Sequence, residues 1–337
     1  MIDVNKGINA PYFSLTLSDA DVTNDVAPCL LSLSYTDYLD GMSDELSVSF
    51  YDEDNKWINS WWPKQSDLLS LCLGYRANMV NFGDFELDEI AYNHPPSVVT
   101  LRALSTGLSK SNRTLKAKSY ENTTLSGIIK TVAKRMKLQL TGEIKEVSIT
   151  RVTQYQESDV AFLTRLAREY GHSFKIVKDK LVFTPIDKLS EQQPIMTLLP
   201  TDIITVSLRD RISSVAKSVK VVGYDSKKKR KISKKRKAKT VRKNSLTNYD
   251  ELKIITKAEN SEQMQARADA ATLDQAQEQC AGSITLWGNP QLVAGLTVKL
   301  TNFGKFSGLY LINQSRHSVS RSEGYKTVIE IKMVKEE

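Results

Sequence analysis

Polar and apolar positions alternate over Tyr12–Leu17, Leu31–Tyr35 and Leu46–Tyr51, separated by the turn-forming stretches Ser18–Asp21 and Leu39–Met42. Alternation with period two marks a strand with one buried face. Leu69, Leu71 and Leu73 then alternate into Gly74-Tyr75, Phe82–Leu87 follows, and Val98–Leu101 closes the set. Pro95-Pro96 belongs between strands, because proline cannot donate to a central ladder. Together these runs predict a small antiparallel sandwich or barrel.

From Arg113 the period changes. Leu125, Ile128, Ile129, Val132, Ala133 and Met136 fall on one face of a helix that Asn122 or Thr123 would cap. Short strands are expected at Leu138–Leu140 and Val147–Thr153. A second helix follows. Ser158 suits its N-cap, Asp159 meets the positive end of its dipole, and Phe162, Leu163, Leu166, Ala167 and Tyr170 form its apolar stripe. Gly171 supplies the stop. The pattern returns at once to period two at Phe174, Ile176, Leu181 and Phe183, around a Lys178-Asp179 turn. Two amphipathic helices need a sheet or each other to cover their apolar faces, so this stretch is an α+β insertion.

Strand character resumes at Ile203–Leu208, Val215–Val222 and Leu252–Thr256, and a helix capped by Asn260 or Ser261 runs to about Gln279. Leu296, Val298 and Leu300 alternate, Phe306–Ile312 turns back, and Tyr325–Met333 closes. This repeats the first plan. Leu69/Leu71/Leu73 resembles Leu296/Val298/Leu300, Phe82–Leu87 resembles Phe306–Leu311, and each is followed by a histidine, His94 or His317. The expected fold is therefore α+β but mainly β, with two related antiparallel β-barrel or sandwich domains and an α+β insertion between them. The expected division is 1–112 for a first, tube-like β-barrel, 113–190 for the insertion, and 191–337 for a second β-barrel carrying a basic loop (226–245) and a helix (260–279).

The run Q-x-x-E-S-D-x-x-F-L-x-R-L-A-x-E-Y-G, Gln154 to Gly171, resembles the hub proteins of contractile tails: the late control D proteins of P2-like and Mu-like phages and the corresponding part of VgrG spike proteins. Asn122–Leu125 resembles that family's N-x-T-L helix start, and Asp44–Phe50 its D-x-L-x-V-x-F strand. Trp287-Gly288-Asn289-Pro290 through Gly295, then Gly308-Leu309-Tyr310, resembles its C-terminal pattern. The resemblance implies a structural hub. It would be a homotrimeric ring that adapts a six-fold tail tube protein to a three-fold central spike, within a virion or tail-like particle. Further partners would be other baseplate proteins and the tape measure protein. Two like barrels per chain would let three chains present six like units. The chain closes at Glu337 after the second barrel, so the spike is expected as a separate protein.

Composition refines this. The 337 residues are 40% hydrophobic and 26% charged, which is globular and calls for two or three domains. No apolar run reaches the ~20 residues of a membrane helix, and the N-terminus lacks an apolar signal core, so synthesis in the bacterial cytoplasm and no membrane insertion are expected. The net charge of +8 is local. Twelve Lys or Arg lie between Lys227 and Lys243, and taking twelve from +8 leaves −4 for the rest.

Lys227, Lys228, Lys229, Arg230, Lys231, Lys234, Lys235, Arg236, Lys237, Lys239, Arg242 and Lys243 read first as a solvated loop, next as a contact for an acidic protein, and last as a transient DNA contact. Ser226–Thr240 holds no aromatic, so bases have nothing to stack on. Trp57, Trp61 and Trp62 read mainly as a plug for one end of a barrel and secondarily as an exposed assembly contact.

Catalytic signals are sparse. His94, His172 and His317 lack a second ligand at metal spacing, and Cys29, Cys72 and Cys280 read as buried free thiols. There is no G-x-S-x-G, H-E-x-x-H or phosphate-binding glycine loop. The carboxylate pairs Asp52/Asp54 and Glu86/Asp88 sit at i, i+2, which on a strand shares a face, and read as solvated positions rather than as a glycosidase pair. No catalytic residue, metal or cofactor is expected. The rival functions are a tail-associated cell-wall hydrolase and a polyanion-contacting tail component.

Overall fold

The computed structural model describes residues 11–41, 43–64, 67–76, 78–105, 114–211, 215–225, 229–241, 250–256 and 260–336. The first unit comprises β1 (Pro11–Leu17), β2 (Ala20–Asp21), the short helix α1 (Thr23–Val26), β3 (Leu30–Tyr38), β4 (Glu45–Tyr51), β5 (Leu68–Tyr75), β6 (Asn78–Asn93) and β7 (Val98–Ser105). Next come β8 (Lys116–Thr124), α2 (Leu125–Met136), β9 (Gln139–Thr141), β10 (Ser148–Glu157), α3 (Asp159–Tyr170), β11 (His172–Val177), β12 (Lys180–Pro185) and α4 (Ile186–Ser190). The rest holds β13 (Met196–Leu198), β14 (Thr205–Asp210), β15 (Ser218–Asp225), β16 (Arg230–Lys237), β17 (Glu251–Ile255), α5 (Ser261–Gln279), β18 (Cys280–Trp287), β19 (Thr297–Leu300), β20 (Gly308–Ser320) and β21 (Gly324–Glu336).

The molecule is mainly β and mostly antiparallel, and its two β units share one 13-stranded sheet. Strands pair in the order β1-β5-β6-β7-β4-β3 in the first unit and β13-β19-β20-β21-β18-β14 in the second. Taken in chain order, each of these six strands of one unit has its counterpart in the other, and only the two-residue β2 of the first unit is unmatched. Neither unit closes into a barrel. Each folds over itself as a sandwich: Leu15 of β1 and Leu33 of β3, from opposite ends of the first run, share a core with Phe50, Leu71, Phe85 and Leu101. One departure separates the siblings, since β1 runs antiparallel to β5 whereas β13 runs parallel to β19.

The details of the repeat match closely. Leu69 faces Phe85 and Leu71 faces Gly83, just as Val298 faces Tyr310 and Leu300 faces Gly308. Gly83 and Gly308 both hold positive φ, at 101° and 154°. The long hairpin bulges after Leu87 in one unit and after Ile312 in the other. The equivalence is therefore shifted by two residues from the one the hydrophobic triplets suggested, and His317 matches Tyr92 rather than His94. The two units join where β3 pairs with β20, from Ser32↔Ser320 to Tyr38↔Gln314.

The insertion has its own core, in which α2 and α3 bury Leu125, Ile129, Phe162, Leu163 and Leu166 against the β8–β10 and β9–β11–β12 sheets. The cap of α2 is Thr124, not Asn122 or Thr123, because β8 runs to its edge; its hydroxyl accepts from the Gly127 N–H at 3.1 Å. Ser158 caps α3 as its spacing suggested. The conspicuous sequence run works as an internal brace. Asp159 is fully buried and paired with Arg135 and Lys116, and Gln154 donates to it at 3.0 Å. Burial pushes the Asp159 carboxyl up, but the hydrogen bonds from Arg135, Lys116 and Gln154 outweigh this and hold it below the usual carboxylate range. Arg165 clamps Glu157 and the Thr153 carbonyl. Gly171, at φ 67°, ends α3 where a Cβ would stand 3.2 Å from Ala270 of α5.

His317 is fully buried at the inter-unit ladder. Its Nε2 lies 3.0 Å from the Leu292 carbonyl and its Nδ1 2.9 Å from the Tyr325 hydroxyl. Burial pulls its pKa from 6.5 down to about 4. The folded state therefore binds fewer protons than the unfolded one across that window. The stability supplied by neutral His317 is complete above pH 6.5 and is lost as pH falls through 6.5 toward about 4. Thermal melts across this range should show the melting-temperature gap between the wild-type chain and H317Q narrowing as pH falls; a gap that widens would refute the assignment.

Candidate functional site

Lys175 of β11 reaches across from the insertion to the first β unit. Its ammonium pairs with Asp37 on β3 and stands 3.0 Å from Asp44, while the other Asp37 oxygen accepts from the Ala294 N–H of the second unit at 2.8 Å. Burial would lower the Lys175 pKa; Asp37 and Asp44 reverse this and raise it. Burial pushes Asp44 up to about 6 against the pull of Lys175. The Tyr35 hydroxyl donates to Asp44 at 3.2 Å, and burial holds its own proton on strongly. The cluster locks three parts of the chain together, and its polar groups face one another rather than a cleft. Spacing gave no hint of it, because Lys175 and Ala294 lie more than a hundred residues from the acids they meet.

The basic run is not a plain loop. Lys227, Lys228, Arg242 and Lys243 lie outside the described residues. Lys229 holds φ 47° directly before β16, which carries Arg230, Lys231, Lys234, Lys235, Arg236 and Lys237, and Lys239 lies exposed just beyond. β16 is an edge strand of a separate sheet ordered β16-β15-β17. The physical reason is pairing with the apolar β15, whose Val219 and Val221 pack with Ile232 and Ile254 against Met264 and Ala268 of α5. Arg236 fastens to Asp269 of α5 at 2.7 Å.

On the opposite face, register brings together Lys220 of β15, Lys231, Lys235 and Lys237 of β16, and Lys253 of β17. Tyr224 sits among them, 51% exposed. Glu251, paired with Lys235, is the acid of that face. An aromatic does therefore accompany the charges, supplied by the neighbouring strand and not by the run itself.

The tryptophans divide. Trp57 is buried at 4% exposure, its ring tilted 4.6 Å from the Phe50 ring, and its backbone N–H donates to Asp52 at 3.2 Å. Trp61 and Trp62 are 40% and 51% exposed. Trp61 meets Trp57 edge-on at 5.7 Å and carries the Lys56 ammonium 5.6 Å from its ring. Trp57 is thus part of the core of the first unit, an open sandwich rather than a barrel end, while Trp61 and Trp62 lie at the surface. A cavity of about 340 Å³ beside them is lined by Asp25, Asp52, Glu53, Asp54 and Arg321.

The carboxylate pairs do not act together. Asp52 is buried and accepts from the Trp57 and Ile58 N–H groups, whereas Asp54 pairs with Lys56 in solvent. Asp88 occupies the β6 bulge, which interrupts the alternation that would set it beside Glu86. Burial raises the Cys29 pKa and so disfavours its thiolate. Among the described residues no group of three or more His, Cys, Asp or Glu could hold a metal ion. No helix of the described residues is long and apolar enough to cross a membrane.

The family model for the phage tail baseplate hub matches residues 86–323. The chain belongs to the phage tail baseplate hub family. It is 34% identical over 177 residues to a probable baseplate hub protein of Escherichia phage 186, and 30% identical over 176 residues to that of Escherichia phage P2. These matches cover 52% and 51% of this chain but only 45% of either relative, less than half their length.

The fold recurs in the 43 kDa tail protein of prophage MuSo2 from Shewanella oneidensis, with TM-score 0.73, 14% identity, and coverage of 96% of this chain and 99% of that one. It recurs in a tail protein of Neisseria meningitidis MC58, with TM-score 0.71, 12% identity and 96% coverage of both chains. An E. coli component of the type VI secretion system shares it at TM-score 0.58 and 12% identity, over 90% of this chain and 73% of that one.

For this hub chain, the brace around Asp159 explains why Gln154–Gly171 stands out in sequence: those residues close a buried ion network. The split of the tryptophans is directly measurable. Trp57→Ala should cost about 3–5 kcal/mol of stability by denaturant unfolding, the usual price of emptying a buried aromatic site. Trp62→Ala should cost less than about 1 kcal/mol. Equal costs would mean that the cluster acts as one packed plug.

Proposed function

We propose that three copies of the chain form a ring at the baseplate of a contractile tail or tail-like particle, adapting a six-fold tube to a three-fold spike. The observation that carries this reading is the matched strand order of the two β units. A trimer of such chains presents six like units, which a six-fold partner can meet, while retaining three-fold symmetry for the other side. Residues 1–112, 113–190 and 191–337 serve as its working divisions. The tube protein, a separate spike, other baseplate proteins and the tape measure protein are the proposed partners, and the virion or tail-like particle is the proposed location. The role is mechanical and needs no catalytic group; a cell-wall clearing assay tests the hydrolase alternative, which clear activity abolished by one acidic substitution would support. Light scattering of the purified chain, alone and with the spike, should give a trimer in at least one case, and a monomer in both would refute the ring.

The basic sheet adds a second contact. Lys220, Lys231, Lys235, Lys237 and Lys253 share an open face, which suits an acidic neighbour in the baseplate better than nucleic acid, since Tyr224 offers a single stacking ring. Reversing Lys231, Lys235 and Lys237 to Glu should abolish binding to the acidic partner and its salt dependence while leaving the melting temperature within a few degrees. Strong, salt-steep binding to DNA by the wild-type chain would instead favour the nucleic-acid reading.

A further inference from the structure

The β3–β20 junction shows how one unit meets the next, and the strand equivalence says where the same junction is unmade. β14 is the counterpart of β3, and the distal half of β6 is the counterpart of the distal half of β20. The correspondence is fixed by registers. Leu33 faces Val48, which faces Leu101, and Val206 faces Ile284, which faces Ile329. In the hairpins, Glu89 matches Gln314 and Asn93 matches Ser318, each counted from its bulge.

Both counterparts are outer edges. β14 pairs on one side with β18 and ends the large sheet. Residues Glu89–Asn93 pair on one side with β7, while β5 stops opposite Glu86. Positions sealed at the internal junction are open at these edges. Leu33 and His317 are 0% exposed, but their counterparts Val206 and Tyr92 are 42% and 43% exposed. Ile204 at 37% and Leu199 at 37% extend the apolar strip beside β14. A long edge strand bearing apolar side chains is a template for another strand, and it invites aggregation unless it is covered.

We propose that β14 of one copy pairs antiparallel with Glu89–Asn93 of a second copy, in the register that translates the internal junction. Tyr35↔His317 becomes Leu208↔Tyr92, Ser34↔Ser318 becomes Ser207↔Asn93, and Thr36↔Arg316 becomes Arg209↔Ala91. The contact is heterologous, with β14 of each copy used by one neighbour and β6 by the other, which is the kind of interface that generates a closed ring. Pairing supplies backbone hydrogen bonds and covers Val206 and Tyr92. This inference rests on the ring reading and specifies the seam through which the ring closes.

The test is thiol cross-linking of the full-length chain carrying Asn93→Cys and Ser207→Cys, both exposed positions, with each single variant as control. Oxidation or a short bis-maleimide should convert the double variant to covalent trimer on a denaturing gel. The pair Asn93→Cys with Val206→Cys should stay unlinked, because a one-residue slip turns the side chains to opposite faces. Equal linking of both pairs overturns the register. A trimer by light scattering with no linking of either pair overturns the seam and leaves the ring standing. A monomer under every condition, with the spike included, overturns both.

Discussion

The junction between β3 and β20 is the constraint on which the architecture depends. Seven residue pairs turn two sandwiches into one sheet, and they do so at the seam where each unit would otherwise stay open. The first unit does not finish its own core. Tyr325, from the hairpin of the second unit, is buried in it at 3% exposure, and across the boundary His317 stacks on the Tyr35 ring and meets the Phe82 ring at a tilt. A unit cut off at this ladder would expose a strand edge and part of a core together. The pairing thus fixes the relation between neighbouring units more firmly than a linker could.

Around that ladder the insertion is held by charge and not by area alone. Lys175 places one ammonium between Asp37 and Asp44, and the Leu39–Gly41 turn is gripped by Ser173 and Phe174 through hydrogen bonds of 2.7 and 3.0 Å. Asp37 also holds the Ala294 N–H, so one carboxylate touches all three parts. Removing one partner from such a buried set strands the others, at a cost of about 3–5 kcal/mol. The same logic operates inside the insertion at Asp159. These networks narrow the arrangements open to the insertion, whose apolar faces alone would accept several.

Local periodicity made the helices legible. α3 and its Ser158 and Gly171 boundaries follow from side-chain spacing, since a helix satisfies its own backbone within a few residues. Pairing across the chain was less visible. The hydrophobic triplets announced a repeat but placed it two residues out, because the bulges at Asp88 and Asn313 and the glycines at 83 and 308 set the register, not the leucines. The basic run looked like a loop because the stretch that forms β16 offers one apolar residue, Ile232; β15 beside it supplies what the run lacks. Three tryptophans in six residues read as one group, yet the Asp52 turn buries Trp57 and turns Trp61 and Trp62 outward. The ion cluster at Lys175 left no trace in spacing, as its members converge only after folding.

The differences between the siblings carry as much meaning as the likeness. Between β3 and β4 the first unit needs only the short turn after Tyr38, whereas between the equivalent β14 and β18 the chain inserts the basic sheet and α5. α5 then packs back on the insertion, with Asn260 donating to the Ser148 carbonyl at 2.9 Å and Arg267 placed over the Tyr170 ring. A ring of three such chains would present six like β units but only three basic faces and three insertions. Features repeated within the chain suit a partner of doubled symmetry. Features that occur once per chain are the ones able to single out a three-fold partner or a single docking orientation. Within the chain, β14 and β6 retain the geometry of the internal ladder, while Lys231, Lys235 and Lys237 stand on a sheet that has no counterpart in the first unit.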